Sequence, residues 1–204
     1  MKYSALDLIA LEKIKQMNPL PRNKLCQSFD EILERQAKYI LQGVEESTGE
    51  NAVNLFELVG ATKLVKANRT SRLVSTHLGK AWEEMASLSH LALNPERDLN
   101  IRIEGIDIIL LDGERLRHTQ IKTQRNTLTG SQKGRSLTEL RRHPYPLFAA
   151  AFDVANWTFP PRSSSRVDRI AGEPFWNKLA ISYEDVVEAA RKCFAKLEKE
   201  LFKE

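Results

Sequence analysis

Residues 100–124, NIRIEGIDIILLDGERLRHTQIKTQ, decide the fold. β-Branched and aliphatic residues crowd 101–111, a second and less regular run follows at 115–123, and Asp112-Gly113 between them is a hairpin signal. With Asp112 and Gly113 as a two-residue loop, Leu111 pairs with Glu114, which sets Asp107 opposite His118 and diagonal to Gln120. Side chains alternate along a strand. Asp107, His118, Gln120 and Lys122 are therefore expected on one side of the hairpin, and Ile106, Ile108 and Ile121 on the other. The expected division is a core face and a chemical face.

Helical periodicity dominates upstream. Leu6, Ile9, Ala10 and Ile14 predict a helix over 4–17, ended by Pro19 and Pro21. Ser28 with Glu31 resembles a capping box for a second helix that stops near Gly43. A loop at 47–49, a helix over 52–66 with Gly60 as a break, and a helix from Asn68 or Thr70 to Leu93 follow. The last of these carries Gly79-Lys80-Ala81-Trp82-Glu83-Glu84, two carboxylates placed directly before the hairpin. Downstream, 126–135 reads as a polar loop, 136–142 as a short helix, 148–154 as a buried strand, 160–166 as an exposed loop and 183–202 as an amphipathic helix. The pattern predicts one mixed α/β domain over 1–204: a helical N-terminal region at 1–68 and a core at 69–204.

Charge is concentrated rather than spread. The chain holds 31 Lys and Arg against 27 Asp and Glu, and residues 101–146 hold nine of those bases against five of the acids, which is the whole excess. That favours an anionic partner for this region. Cys26 and Cys193 have neither disulfide-framework nor zinc spacing, the N-terminus lacks a signal-peptide core, and no apolar run reaches membrane-spanning length. The expectation is a soluble intracellular protein with reduced thiols and no membrane partner.

Hydrolysis of a phosphodiester needs a divalent-metal site, a group that positions water, and stabilisation of negative charge on phosphorus. Hard oxygen ligands suit Mg²⁺. Asp107 offers a carboxylate, Gln120 an amide oxygen and Ile121 a backbone carbonyl, while Lys122 on the same face is placed to orient water or offset charge. Glu83 is a candidate for completing the shell; Glu104, by alternation, faces away from Asp107. His118 is a candidate base or a phosphate contact, and His77, His90 and His143 show no ligand spacing. Trp82, Trp157 and Trp176 read as core or interface residues.

Gly105-Ile106-Asp107, twelve residues, then Gln120-Ile121-Lys122 resembles the motif of the PD-(D/E)xK nuclease superfamily, with Ile106 in place of the proline and Gln120 in place of the acidic residue. The Glu83 helix resembles the superfamily's glutamate-bearing first helix, and GEPFWNKL at 172–179 resembles the C-terminal part of several type II restriction endonucleases. The resemblance covers about 79–179. It implies a restriction-endonuclease-like core, a mixed sheet flanked by helices with the active site on a hairpin. It also implies Mg²⁺, with Mn²⁺ as a substitute, double-stranded DNA as substrate, a homodimer matched to a palindromic site, and a prokaryotic cytoplasmic setting. Arg125, Asn126, Gln132, Lys133 and Arg135, with Arg162 and Arg166 further on, become candidates for phosphate and base-edge contacts. Two rival expectations are a repair or homing nuclease of the same fold and a non-catalytic DNA-binding protein in which Gln120 marks a decayed site.

Overall fold

The computed structural model describes residues 4–45, 55–128, 130–158 and 160–202, so the loop expected at 47–49 and the start of the helix expected at 52 lie outside the described residues. Helix α1 (Ala5–Lys15) opens on a capping box in which the Ser4 hydroxyl accepts from the Asp7 N–H at 3.1 Å and the Asp7 carboxylate accepts from the Ser4 N–H at 3.0 Å. Helix α2 (Arg22–Glu45) starts directly after Pro21, whose carbonyl accepts from the Leu25 N–H at 3.0 Å, so Ser28 lies inside the helix and caps nothing. After α3 (Leu55–Leu58), Gly60 at φ +71° breaks the chain as expected, and α4 (Thr62–Ala86) runs straight through 68–69.

Helix α4 stops seven residues short of its expected end, because residues 92–93 peel away as strand β1 (Ala92–Leu93). The single-turn α5 (Pro95–Leu99), capped by Asn94 and ended by Asn100 at φ 55°, then replaces the expected start of the hairpin, whose first strand is only β2 (Ile108–Asp112). The remaining elements are β3 (Arg115–Gln124), α6 (Gly130–Leu140), β4 (Pro146–Phe152), α7 (Arg162–Ser165), β5 (Asp168–Ala171), α8 (Glu173–Lys178) and α9 (Tyr183–Leu201). Helix α6 begins six residues before the expected 136, and β5 arises within a polar stretch that sequence periodicity does not mark.

The protein is mixed α/β. Its five strands lie in the order β1-β2-β3-β4-β5, antiparallel from β1 to β3 and parallel from β3 to β5. In the hairpin Asp112 pairs with Arg115 and Ile109 with His118, so the loop is Gly113-Glu114 and each pairing shifts by two from the expected register. Gly113 takes the positive φ of +63° that this turn requires. The shift keeps the paired residues of β2 and β3 on their faces, but Asp107 lies before β2 and outside the paired register, its N–H bonded to the Thr119 carbonyl.

Both faces are core, contrary to the expected split. Ile108, Leu110, Ile121 and Ala149 pack with Phe29 and Leu33 of α2, Trp82 of α4, Trp176 of α8 and Val186 of α9. Ile106, Ile109, Leu116 and Phe148 pack beneath Ala10 and Ile14 of α1 and Leu137 and Leu140 of α6. Ile106 thus joins the face opposite Ile108, because regular alternation begins only at 108. The α2 helix shares one core with the sheet and is not an appendage. With both faces covered, polar chemistry is left to the strand ends. Among the described residues no helix is long and apolar enough to cross a membrane.

Candidate active site

The site is assembled where the hairpin begins. Gly105 takes φ +74°, and a Cβ there would stand 2.5 Å from Glu139 Oε2. Glu139 on α6 is buried and accepts from Arg135 Nε at 2.6 Å, so the turn before Asp107 is wedged against a fixed carboxylate that only glycine accommodates. The Asp107 N–H then donates to the Thr119 carbonyl at 2.9 Å, which starts the ladder, and Asp107 Oδ2 accepts from the Ile121 N–H at 2.6 Å. A strand residue turns its N–H and C=O to the same edge, so the Ile121 carbonyl also faces the Asp107 side.

Gln120, next along β3 from Thr119, is buried, and its Oε1 has no hydrogen-bond partner. Lys122 follows two residues along on the same side, half-buried. From α4 comes Glu83. The adjacent Glu84 is turned to α2, paired with Arg35 and accepting from Gln36 Nε2 at 3.0 Å, so of the two carboxylates Glu83 is the one presented to Asp107. Burial, then the charge of Asp107, pushes the Glu83 carboxyl up to about 8, against the pull of Lys122 and Lys80. Burial likewise raises Asp107, opposed by Lys122 and by the Ile121 N–H. Glu83 and Asp107 open onto a cleft of about 480 Å³, also lined by Asn94, Glu96, Arg102, Glu104 and Arg135, while Gln120 and Lys122 stand outside its lining.

Among the described residues no group of three or more His, Cys, Asp or Glu is placed to hold a metal ion. The donors available at the hairpin base are two carboxylates, one amide oxygen and one backbone carbonyl. They fit a hard cation that keeps most of its waters. The telling atom is Gln120 Oε1, since a buried polar atom left unpaired costs about 1–3 kcal/mol unless a ligand supplies its partner.

Comparison of the chain with protein-family models, with curated proteins and with solved structures gives no match. The site therefore stands on its own geometry.

That geometry sorts the expected residues. Asp107, Ile121, Lys122 and Glu83 come together, whereas Gln120 is buried, pairs across the sheet with Phe148 and is not brought into contact with either carboxyl. His118 does not: it pairs with Ile109, stacks on His143 at 4.3 Å between ring centroids, and places Nε2 3.4 Å from Asp7 Oδ1 of α1. Burial, then His143, lowers it to about 4, which makes it a neutral packing group. Glu104, expected to face away, lines the cleft and pairs with Arg135 and Arg142, each at 3.2 Å. Of the DNA-contact candidates, Arg135 lines the cleft, Arg125 and Asn126 follow β3 at the same end of the sheet, and Gln132 and Lys133 lie at the start of α6. Arg162 and Arg166 precede β5 on the side of the hairpin turn, with Arg162 paired to Asp168 at 3.0 Å, so they are not brought to the cleft. Glu139 and Trp157 are additions that no local pattern marks; their places depend on partners 34 and 32 positions away, since Glu139 packs on Gly105 and Trp157 on Arg125.

Proposed function

We propose that this chain is a Mg²⁺-dependent endodeoxyribonuclease of the type II restriction kind, with a restriction-endonuclease-like core, acting as a homodimer on a short palindromic site in double-stranded DNA. The observation that carries the reading is the meeting of Asp107 and Glu83 at one open cleft under the charge of Lys122, with the two carboxyls raised by burial and with Gln120, two residues before Lys122 on β3, buried and its Oε1 unpartnered. Asp107, Gln120, the Ile121 carbonyl and Glu83 would hold the cation, and Mn²⁺ would substitute for it. When bound, such an ion supplies Lewis-acid polarisation of the phosphoryl group and a more acidic water.

The chain's own residues do the rest. The Ile121 N–H fixes the Asp107 carboxylate in one orientation. Lys122, the nearest cation to both carboxyls, is placed to orient the attacking water and to offset the charge that gathers on phosphorus as water adds and a P–O ester bond breaks, its electron pair leaving on the sugar oxygen. Arg135 at the cleft rim and Arg125 beyond β3 are placed for backbone phosphates.

The test is Asp107→Ala and Lys122→Ala assayed on phage DNA: duplex binding survives in both and Mg²⁺-dependent cleavage is lost. Cleavage near the wild-type rate by both variants sinks the proposal. Fragments that all end at one short sequence support restriction over repair or homing. One observation favours a second reading, a non-catalytic DNA-binding protein: the site has only two carboxylates, with glutamine at 120. That reading requires duplex binding with no cleavage in either Mg²⁺ or Mn²⁺.

A further inference from the structure

Trp157 is a side chain that the proposed chemistry leaves unused. It follows β4, is half-buried, and packs edge-on to Phe148 with ring centroids 6.1 Å apart. Two guanidinium carbons lie over its ring, Arg125 at 5.6 Å and Arg169 at 5.2 Å from the centroid. Arg125 follows β3 and Arg169 belongs to β5, so the indole joins two strands that β4 separates.

The register places this cluster beside the candidate site. Gln120, Phe148 and Arg169 are successive partners across β3, β4 and β5, so Arg169 lies in the row that holds Gln120, two residues before Lys122. At a strand spacing of about 4.8 Å, the Arg169 backbone stands roughly 10 Å from that of Gln120.

The cluster is also built to exchange partners. Arg125 is paired with Asp153, whose side chain is 45 % exposed, and the Arg125 Nε–H is buried without a hydrogen-bond partner. A guanidinium already restrained against an aromatic ring loses little freedom when it trades an exposed carboxylate for a phosphate, and its planar fork suits two phosphate oxygens.

We propose that Arg125 and Arg169, held on Trp157, form a phosphate clamp that grips the DNA backbone beside the Asp107–Lys122 site. This rests on the nuclease reading and extends it to a second contact on the same strand. The clamp fixes the register of the backbone over the site without reading a base.

The experiment is fluorescence anisotropy of a labelled short duplex, titrated in EDTA over a range of KCl concentrations, so that neither metal nor cleavage contributes. Arg125→Gln and Arg169→Gln each weaken binding several-fold and each reduce the slope of log affinity against log salt by about 0.9, the signature of one lost phosphate contact. Trp157→Leu keeps apolar volume against Phe148 but removes the platform, and reduces the slope by at least as much as either. Arg22→Ala on α2, where the guanidinium is paired with Asp185 of α9, removes a surface charge elsewhere and leaves the slope unchanged. Wild-type slopes in both Arg169→Gln and Trp157→Leu overturn the clamp while leaving the nuclease proposal intact. A wild-type chain that neither binds nor cuts duplex DNA overturns both. If Trp157→Leu fails to fold, as judged by its circular-dichroism melt, Arg169→Gln decides alone.

Discussion

The two ends of one hairpin treat charge in opposite ways. At the turn, Asp112 lies 2.7 Å from Lys178 and 3.5 Å from Arg117, and Asp168 is paired with both Arg117 and Arg162. Each carboxylate there has two cations. At the base, Asp107 and Glu83 have each other and a shared Lys122, with no ion pair within 4.0 Å among the described residues. The chain neutralises its own charge at the turn and leaves it uncompensated at the base. Packing alone does not reward that second arrangement, because burying charge without a partner is costly. It fits a place where a ligand completes the electrostatics.

The most severe way to break this comparison is to neutralise one carboxylate at each end. Asp107→Asn is expected to reduce Mg²⁺-dependent cleavage by at least about 100-fold while the metal-free protein melts no lower than wild type, since a buried like-charge contact with Glu83 is removed. Asp112→Asn is expected to do the reverse, keeping cleavage and costing about 1 kcal/mol in urea unfolding, because Lys178 and Arg117 lose a counter-ion. Equal effects of the two substitutions on both assays would mean that the ends do not differ in role.

A second test reads the same difference through pH. Glu83 takes up a proton more readily in the folded protein than in the unfolded chain, so its contribution to stability is intact at low pH and is lost as pH rises from the ordinary glutamate value of 4.5 toward about 8. Between pH 6.5 and 8.5, above the range in which His118 titrates, the metal-free melting temperature should therefore fall in wild type and stay flatter in Glu83→Gln. Added Mg²⁺ should restore more stability at pH 8.5 than at pH 6.5. Parallel pH profiles for the two proteins in EDTA would remove Glu83 from the site.

Much of this was legible in the chain. The hairpin, the placing of Gln120 and Lys122 on one side of β3, the Glu83 helix before it and the amphipathic α9 all follow from alternation and periodicity over five or more residues. What escaped was set by few residues or by distant ones. Strand β1 is two residues long and β5 four, too short to carry a period, and both are held by pairing to neighbours across the sheet. The hairpin register turned on which residues occupied the loop, a choice between adjacent positions that Asp112 settles by pairing with Arg115 and binding Lys178. Glu83 separates from Glu84 only because Arg35 and Gln36, on α2, claim the latter. The covered second face of the sheet could not be seen from the hairpin, because α1 and α6 that cover it are named nowhere in its own pattern.

The smallest effect tests the turn end alone. Arg117 and Arg162 pair with the same carboxylate, Asp168, but the Arg117 side chain is 11 % exposed and that of Arg162 is 67 % exposed. If the turn network serves the fold, its value should follow burial. Arg117→Ala strips a largely buried cation from both Asp112 and Asp168 and should cost about 1–3 kcal/mol in urea unfolding. Arg162→Ala loses a solvated pair and should cost less than about 1 kcal/mol. Neither should alter the salt dependence of duplex binding, because both side chains are committed to Asp168 on the turn side of the sheet. A reduced salt slope for Arg162→Ala with unchanged stability would return that arginine to the DNA-contact set and show that the turn end, too, faces the substrate.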